Sequence, residues 1–137
     1  MGLGLLYPLV ACEKGKLFMN KNIVLSVTLY NFFDYTMYDI YLNRIDLGVA
    51  AEYGSTGIVT GVNIPFGVQT LTWRHAASGE TYAIKNSLEI LLEQIQTNTR
   101  YLGVHIYPDF TAEFTFSEHL PDTTPRGDDI LKKAGKI

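Results

Sequence analysis

Alternation of apolar and polar side chains dominates the chain between residues 22 and 64. In residues 22–30 apolar side chains recur at every second position and β-branched residues are frequent, which predicts a strand with one buried face. Residues 38–42 and 45–49 repeat this period on either side of Asn43 and Arg44, and an Asn at the first turn position favours a tight hairpin. Residues 58–64 alternate in the same way and end at Pro65, which lacks the N–H that a strand ladder requires.

The second half of the chain continues the period of two, with one ambiguous segment. Residues 67–75 and 80–86 are predicted strands, whereas residues 87–95 match both strand and helix spacing and favour a strand only slightly. Residues 101–117 predict a hairpin with one apolar face, because Pro108 and Asp109 interrupt two alternating runs. His105 falls between the apolar residues of the first run. We therefore expect it on the opposite face and solvated.

These elements predict an all-β fold, a single immunoglobulin-like β-sandwich of seven or eight short antiparallel strands over residues 22–120. Residues 121–137 are predicted to form a C-terminal tail or one short helix. The helix is predicted over residues 128–136, where Asp residues at the start and Lys132 and Lys133 near the end complement a helix dipole.

Charge and spacing disfavour several kinds of site. The chain of 137 residues has a net charge of −3, whereas nucleic-acid binding needs clustered Lys and Arg. The three histidines, His75, His105 and His119, show no metal-ligand spacing, and no nucleophile-and-base order is recognisable. We expect no metal, no cofactor and no catalytic residue, so the protein is not predicted to be an enzyme. The tripeptide Arg126-Gly127-Asp128 matches a cell-adhesion motif, but an ordinary turn explains it.

The N-terminal segment bears on the cellular location of the protein. Residues 2–11 carry no charge and end in Leu9-Val10-Ala11, directly before Cys12, the only cysteine. This order is typical of a bacterial lipoprotein signal in which Cys12 is acylated, with residues 1–12 as signal peptide and lipobox and residues 13–21 as a tether. No basic residue precedes the apolar run, so two alternatives stay open: the true start lies upstream, or it is Met19 and residues 1–18 are an artificial leader.

An aromatic and acidic stretch follows the first predicted strand. Asp34, Tyr35, Tyr38 and Asp39 lie among further Phe and Tyr residues in residues 32–41, a composition that favours protein binding. The alternative is that half of these rings cover one end of the sandwich. Trp73 is predicted to anchor the core.

The chain resembles small bacterial lipoproteins that act as immunity proteins to secreted toxins, and most of all a lipoprotein group found near type VI secretion phospholipase effectors. The residues that carry the resemblance are Leu9 to Cys12, the strand-turn-strand of residues 38–48, Ile64-Pro65 before the Trp73 strand, and residues 101–109. The chain departs from that group in its single cysteine and in having only Gly54, Gly57 and Gly61 where the group has a glycine-rich loop.

The resemblance implies a non-catalytic lipoprotein in the periplasm, anchored to the outer membrane through Cys12. Such a protein would bind and neutralise a protein toxin, a lipase effector being one case. It would touch the membrane through the lipid alone and would not bind nucleic acid. The alternative function is a small-molecule or glycan-binding β-sandwich module that reads its ligand with Trp73, His75 and nearby tyrosines.

Overall fold

The computed structural model describes residues 21–137, so Cys12, the predicted signal segment of residues 1–12 and residues 13–20 of the tether lie outside the described residues. Ten strands and one α-helix make up the described part. A single 3-10 turn (Leu92–Gln94) follows the eighth strand. The bounds are β1 (Asn22–Asn31), β2 (Met37–Leu42), β3 (Ile45–Ala50), β4 (Ser55–Pro65), β5 (Gly67–Gln69), β6 (Leu71–His75), β7 (Thr81–Ala83), β8 (Leu88–Ile90), β9 (Tyr101–Ile106), β10 (Ala112–Ser117) and α1 (Pro125–Lys133).

The strands form two four-stranded sheets and a two-stranded ribbon. The first sheet has the order β10-β9-β1-β4, the second has the order β3-β2-β6-β7, and β5 pairs with β8. The inward side chains of both large sheets meet in one hydrophobic core. It includes the fully buried residues Val27, Ile40, Trp73 and Val104. The mostly-β prediction and the core position of Trp73 are therefore confirmed.

Local predictions hold where a turn residue or one buried face determines the structure. Asn43 has a φ of 59°, as the first residue of a tight hairpin between β2 and β3 requires. The ambiguous residues 87–95 divide into the short strand β8 and the 3-10 turn. The slightly favoured strand is therefore present in the first half of this segment, and the second half forms a turn.

One strand pair differs from the predicted antiparallel arrangement. β1 and β9 run parallel, with Val27 opposite Leu102 and Leu29 opposite Val104. Between β1 and β9 the chain adds β4 to the first sheet and forms the second sheet and the ribbon, and it then returns to lie beside β1 in the same direction. Alternation along a strand looks the same for either direction, so the pattern does not reveal this pairing. The strand number is also higher than predicted, because short segments such as β5 and β7 form separate strands.

Helix α1 packs on the outer face of the first sheet. Thr124 caps the helix by accepting a hydrogen bond from the Gly127 N–H at 3.0 Å, and Pro125 occupies the first turn. The buried Leu131 then joins Phe32 and Tyr107 in a second, smaller hydrophobic cluster. The predicted short helix is present, but the adhesion-like tripeptide lies in its first turn and not in a free loop.

Gly127 allows the helix backbone to approach the Phe32 ring. A Cβ at this position would meet the ring, with Phe32 Cε1 at only 2.6 Å. Phe32 is buried and stacked on Tyr107, so its ring has little room to move. The glycine is thus a packing requirement of the helix–sheet contact.

Substituting Gly127→Ala is expected to lower the free energy of unfolding by about 1–3 kcal/mol, as overpacking in a well-filled interior does. Chemical denaturation followed by the fluorescence of Trp73 measures this change. The matched control is Asp129→Ala, an exposed position on the same helix, which we expect to change stability by about 0.5 kcal/mol at most. A Gly127→Ala variant that is more stable than the parent, as at a freely exposed helical glycine, would contradict the packing role.

Candidate functional site

A β-bulge in β2 determines which side chains reach the surface of the second sheet. Asp39 has a φ of 48°, and the register of β2 against β6 shifts between Tyr38 and Tyr41. Simple alternation would place Tyr38 and Tyr41 on opposite faces of the sheet. The bulge inserts one residue, so both tyrosines point outward while Met37, Ile40 and Leu42 enter the core.

The outward side chains of the second sheet form two cross-strand rows. In one row Tyr38 lies opposite Arg74, which in turn lies opposite Thr81. In the other, Tyr41 lies between Asp46 and Thr72. These side chains are exposed or half-exposed, and Val49 on β3 beside them is 57% exposed. We call this surface the open face; its residues are Tyr38, Tyr41, Asp46, Val49, Thr72, Arg74, Thr81 and Ala83.

Arg74 is held in place near the middle of the open face. Its guanidinium carbon lies 5.4 Å from the centre of the Tyr38 ring, and its Nη1 lies 3.4 Å from Asp39 Oδ2. Its Nε donates a hydrogen bond to the Gly79 carbonyl at 3.2 Å. The side chains of Arg74 and Asp39 are 43% and 42% exposed, so their ion pair adds little to stability. Its consequence is orientation: the contacts pre-organise a cation beside an aromatic ring.

Tyr35 belongs to a different environment, at the end of the second sheet. Its ring stacks on His75 with the ring centres 3.9 Å apart, and its hydroxyl accepts a hydrogen bond from Trp73 Nε1 at 3.1 Å. Burial is the main cause of the raised pKa of Tyr35. Phe33 and Phe110 complete this aromatic cluster with tilted and edge-on contacts.

The structure therefore divides the four candidate residues of the aromatic stretch. Tyr38 and Asp39 lie at the open face, Tyr35 packs against Trp73, and Asp34 is exposed in the connection between β1 and β2. Two neighbouring rings, Phe32 and Phe33, are buried on opposite sides of the first sheet.

Sequence reasoning included Tyr41 only as one of the rings of residues 32–41, and it did not place Val49 or Arg74 in the candidate site. Arg74 alternates with core residues in β6, so a signal for its outward position was present. No local pattern, however, marks the bulge at Asp39 that brings Tyr38 and Tyr41 beside it.

Trp73 and His75, the residues considered for small-molecule or glycan binding, already make contacts within the protein. Trp73 is buried and its N–H is bonded to Tyr35. The Nδ1 atom of His75 accepts hydrogen bonds from the N–H groups of Ala77 and Ser78, at 3.0 and 3.3 Å. Trp73 thus offers no ring face to a ligand, and His75 closes a turn.

His105 lies on the predicted face, but the expectation that it is solvated is wrong. It is 0% exposed, because Tyr30 stacks on its ring and the segment at Pro121 crosses the same part of the sheet. Burial lowers the pKa of His105 to about 4, against the smaller opposing influence of Glu113. Its imidazole is therefore neutral at physiological pH.

Within residues 21–137 no group of three or more His, Cys, Asp or Glu side chains could hold a metal ion. In the same range, no helix is long and apolar enough to cross a membrane. Comparison of the chain with protein-family models, with curated proteins and with solved structures gave no match.

Proposed function

We propose that this protein is a non-catalytic binding protein that neutralises a secreted protein toxin by contacting it through the open face. The observation that carries the proposal is the bulge at Asp39, which turns Tyr38 and Tyr41 to the same side as Arg74. Bulges are frequent where a sheet must re-aim side chains for function.

The chemistry of the open face suits a protein partner better than a small molecule. Tyr and Arg side chains contribute most of the binding energy in many protein interfaces, above all when they are held in position. Tyr38 and Arg74 already contact one another, so little side-chain freedom is lost on binding. Small ligands instead favour concave pockets, whereas these residues lie on the outer surface of a sheet.

The charges around this face favour a basic partner surface. Asp39 and Asp46 lie on or beside the open face and Asp34 is exposed nearby, whereas Arg74 is the cation among the open-face residues. Opposite charges across an interface raise the rate of association and disfavour wrong partners.

The cellular location of the protein is part of the same proposal. We infer an immunoglobulin-like β-sandwich tethered in the periplasm to the outer membrane through lipidated Cys12, protecting against a type VI secretion effector such as a lipase. The support for the anchor is the sequence Leu9-Val10-Ala11-Cys12. The support for the sandwich is the single core that both four-stranded sheets share.

The binding proposal is tested by co-expressing the full chain with the product of each neighbouring gene and measuring co-purification and protection of the cell. We expect Arg74→Ala to weaken binding of the cognate toxin about tenfold or more, as loss of a central anchor does. The matched control is Arg100→Ala, an exposed arginine away from the open face, which should change affinity less than about twofold. Equal loss in both variants would reject the open face as the toxin-binding site. The absence of any partner among the neighbouring products would reject the toxin-neutralising function.

The anchor is tested separately by metabolic labelling with a radioactive fatty acid. We expect label in the wild-type protein and none in Cys12→Ala, because Cys12 is the only cysteine of the sequence. Unlabelled wild-type protein in the membrane-free fraction would remove the tether and leave the binding face unaffected.

A further inference from the structure

A second feature, independent of the open face, is the segment that covers the first sheet. Residues 118–137 run back across the outer face of β1, β9 and β10 and end with helix α1. The Tyr30 hydroxyl donates a hydrogen bond to the Pro121 carbonyl at 2.6 Å. Tyr107 lies 2.6 Å from Thr124 through their hydroxyl oxygens. We call residues 118–137 the C-terminal cover.

Beneath the cover lies a stack of four aromatic rings. Tyr30 and His105 stack at 5.3 Å, Phe32 lies 6.4 Å from His105, and Phe32 and Tyr107 stack at 5.5 Å, all with interplanar angles of at most 17°. His105 is the titratable member of this stack that can acquire a positive charge. Phe32 does not ionise, and the two tyrosines can only lose a proton; burial together with Glu113 raises the pKa of Tyr107 to about 12.

The surroundings of His105 accommodate its neutral form. Its Nε2 lies 3.0 Å from Thr115 Oγ1, whereas its Nδ1 has no hydrogen-bond partner among the described residues. A protonated imidazole carries N–H groups on both nitrogens, so one donor would be buried without an acceptor. Because His105 is 0% exposed, its Nδ1 can reach water only if the chain around the ring moves.

We propose that the C-terminal cover is an acid-sensitive lid, and that protonation of His105 releases it from the outer face of the first sheet. Release would expose the aromatic stack to a partner or to solvent. The lid is closed when His105 is neutral, and acid favours the open form because only there can the charged ring be hydrated.

Three carboxylates lie beside His105, beside Tyr30 or within the lid. Glu113, directly opposite His105 on β10, favours the protonated ring, but its carboxylate also accepts the Tyr107 hydroxyl bond at 2.5 Å. Asp122 lies near Tyr30, and Asp128 accepts a hydrogen bond from Thr123 within the lid itself.

One ion pair between the helical part of the lid and the connection from β9 to β10 keeps its charge as the pH falls. Arg126 Nη2 lies 2.9 Å from Asp109 Oδ2, and the guanidinium lies 4.0 Å from the centre of the Tyr107 ring. The Thr111 hydroxyl and then Arg126 lower the pKa of Asp109 to about 2. Asp109 therefore stays ionised from pH 7 to pH 4.5, so its protonation does not explain lid opening in that range.

The sign and size of the effect follow from the two pKa values of His105. Its pKa is about 4 under the lid and about 6.5 in water, so the open form binds more protons between these values. The closed form is thus fully favoured above about pH 6.5 and loses its advantage as the pH falls toward 4. Between pH 7 and pH 4.5 the open fraction should rise about fifty-fold.

The test measures amide hydrogen exchange of the full chain by mass spectrometry at pH 7 and pH 4.5, with rates converted to protection factors. In the wild type we expect protection of residues 118–133 to fall about fifty-fold at pH 4.5 while strand β6 stays protected. His105→Gln should lose this pH response. The matched control, His119→Gln, alters a histidine whose side chain is 88% exposed and should respond like the wild type.

Two results would overturn the lid: an unchanged pH response in His105→Gln, or a simultaneous loss of protection in β6, which would indicate global unfolding. If His105→Gln does not fold, proton NMR of the three wild-type histidines provides the second test. The lid requires one histidine to titrate below pH 5 together with the exchange of residues 118–133. Three histidines that all titrate near pH 6.5 contradict it.

Discussion

The open face and the covered face of the first sheet both depend on the hydrogen bonds of the buried Asn31 carboxamide. Its Nδ2 donates hydrogen bonds to the carbonyl oxygens of Tyr35, Ala51 and Ala50 at 2.8, 3.0 and 3.3 Å, while its Oδ1 accepts one from the Phe33 N–H at 2.8 Å. These bonds join the end of β1, the connection to β2 and the end of β3. One side chain thereby fixes how the chain passes from the first sheet to the second.

Two surfaces of opposite character follow from that passage. Immediately after Asn31, Phe32 enters the cluster under helix α1 and Phe33 enters the core, so the first sheet has its outer face covered. Further along, the bulge at Asp39 sends Tyr38 and Tyr41 to the uncovered side of the second sheet. The aromatic stretch thus serves the framework with its first half and the proposed binding face with its second.

The parts of the fold that the sequence predicts are those determined by local contrast. The strand over residues 22–30, the hairpin at Asn43 and the apolar face of residues 101–117 were all readable, because one side of each segment is buried or one residue needs a positive φ. The parallel pairing of β1 with β9 and the burial of His105 depend on segments distant in sequence. Of the candidate site, Tyr38 and Asp39 were predictable from composition. Their position beside Arg74 depends on the bulge at Asp39, which the residue types in β2 do not predict.

The most direct test of this framework is the unfolding free energy of Asn31→Asp, measured by chemical denaturation at pH 7 against the control Asn63→Asp at an exposed position. The substitution replaces the Nδ2 donor by an oxygen that faces three carbonyl groups and buries a charge. We predict a loss of about 3 kcal/mol or more, with the control changing by about 0.5 kcal/mol at most. A loss in Asn31→Asp no larger than that of the control would contradict the account.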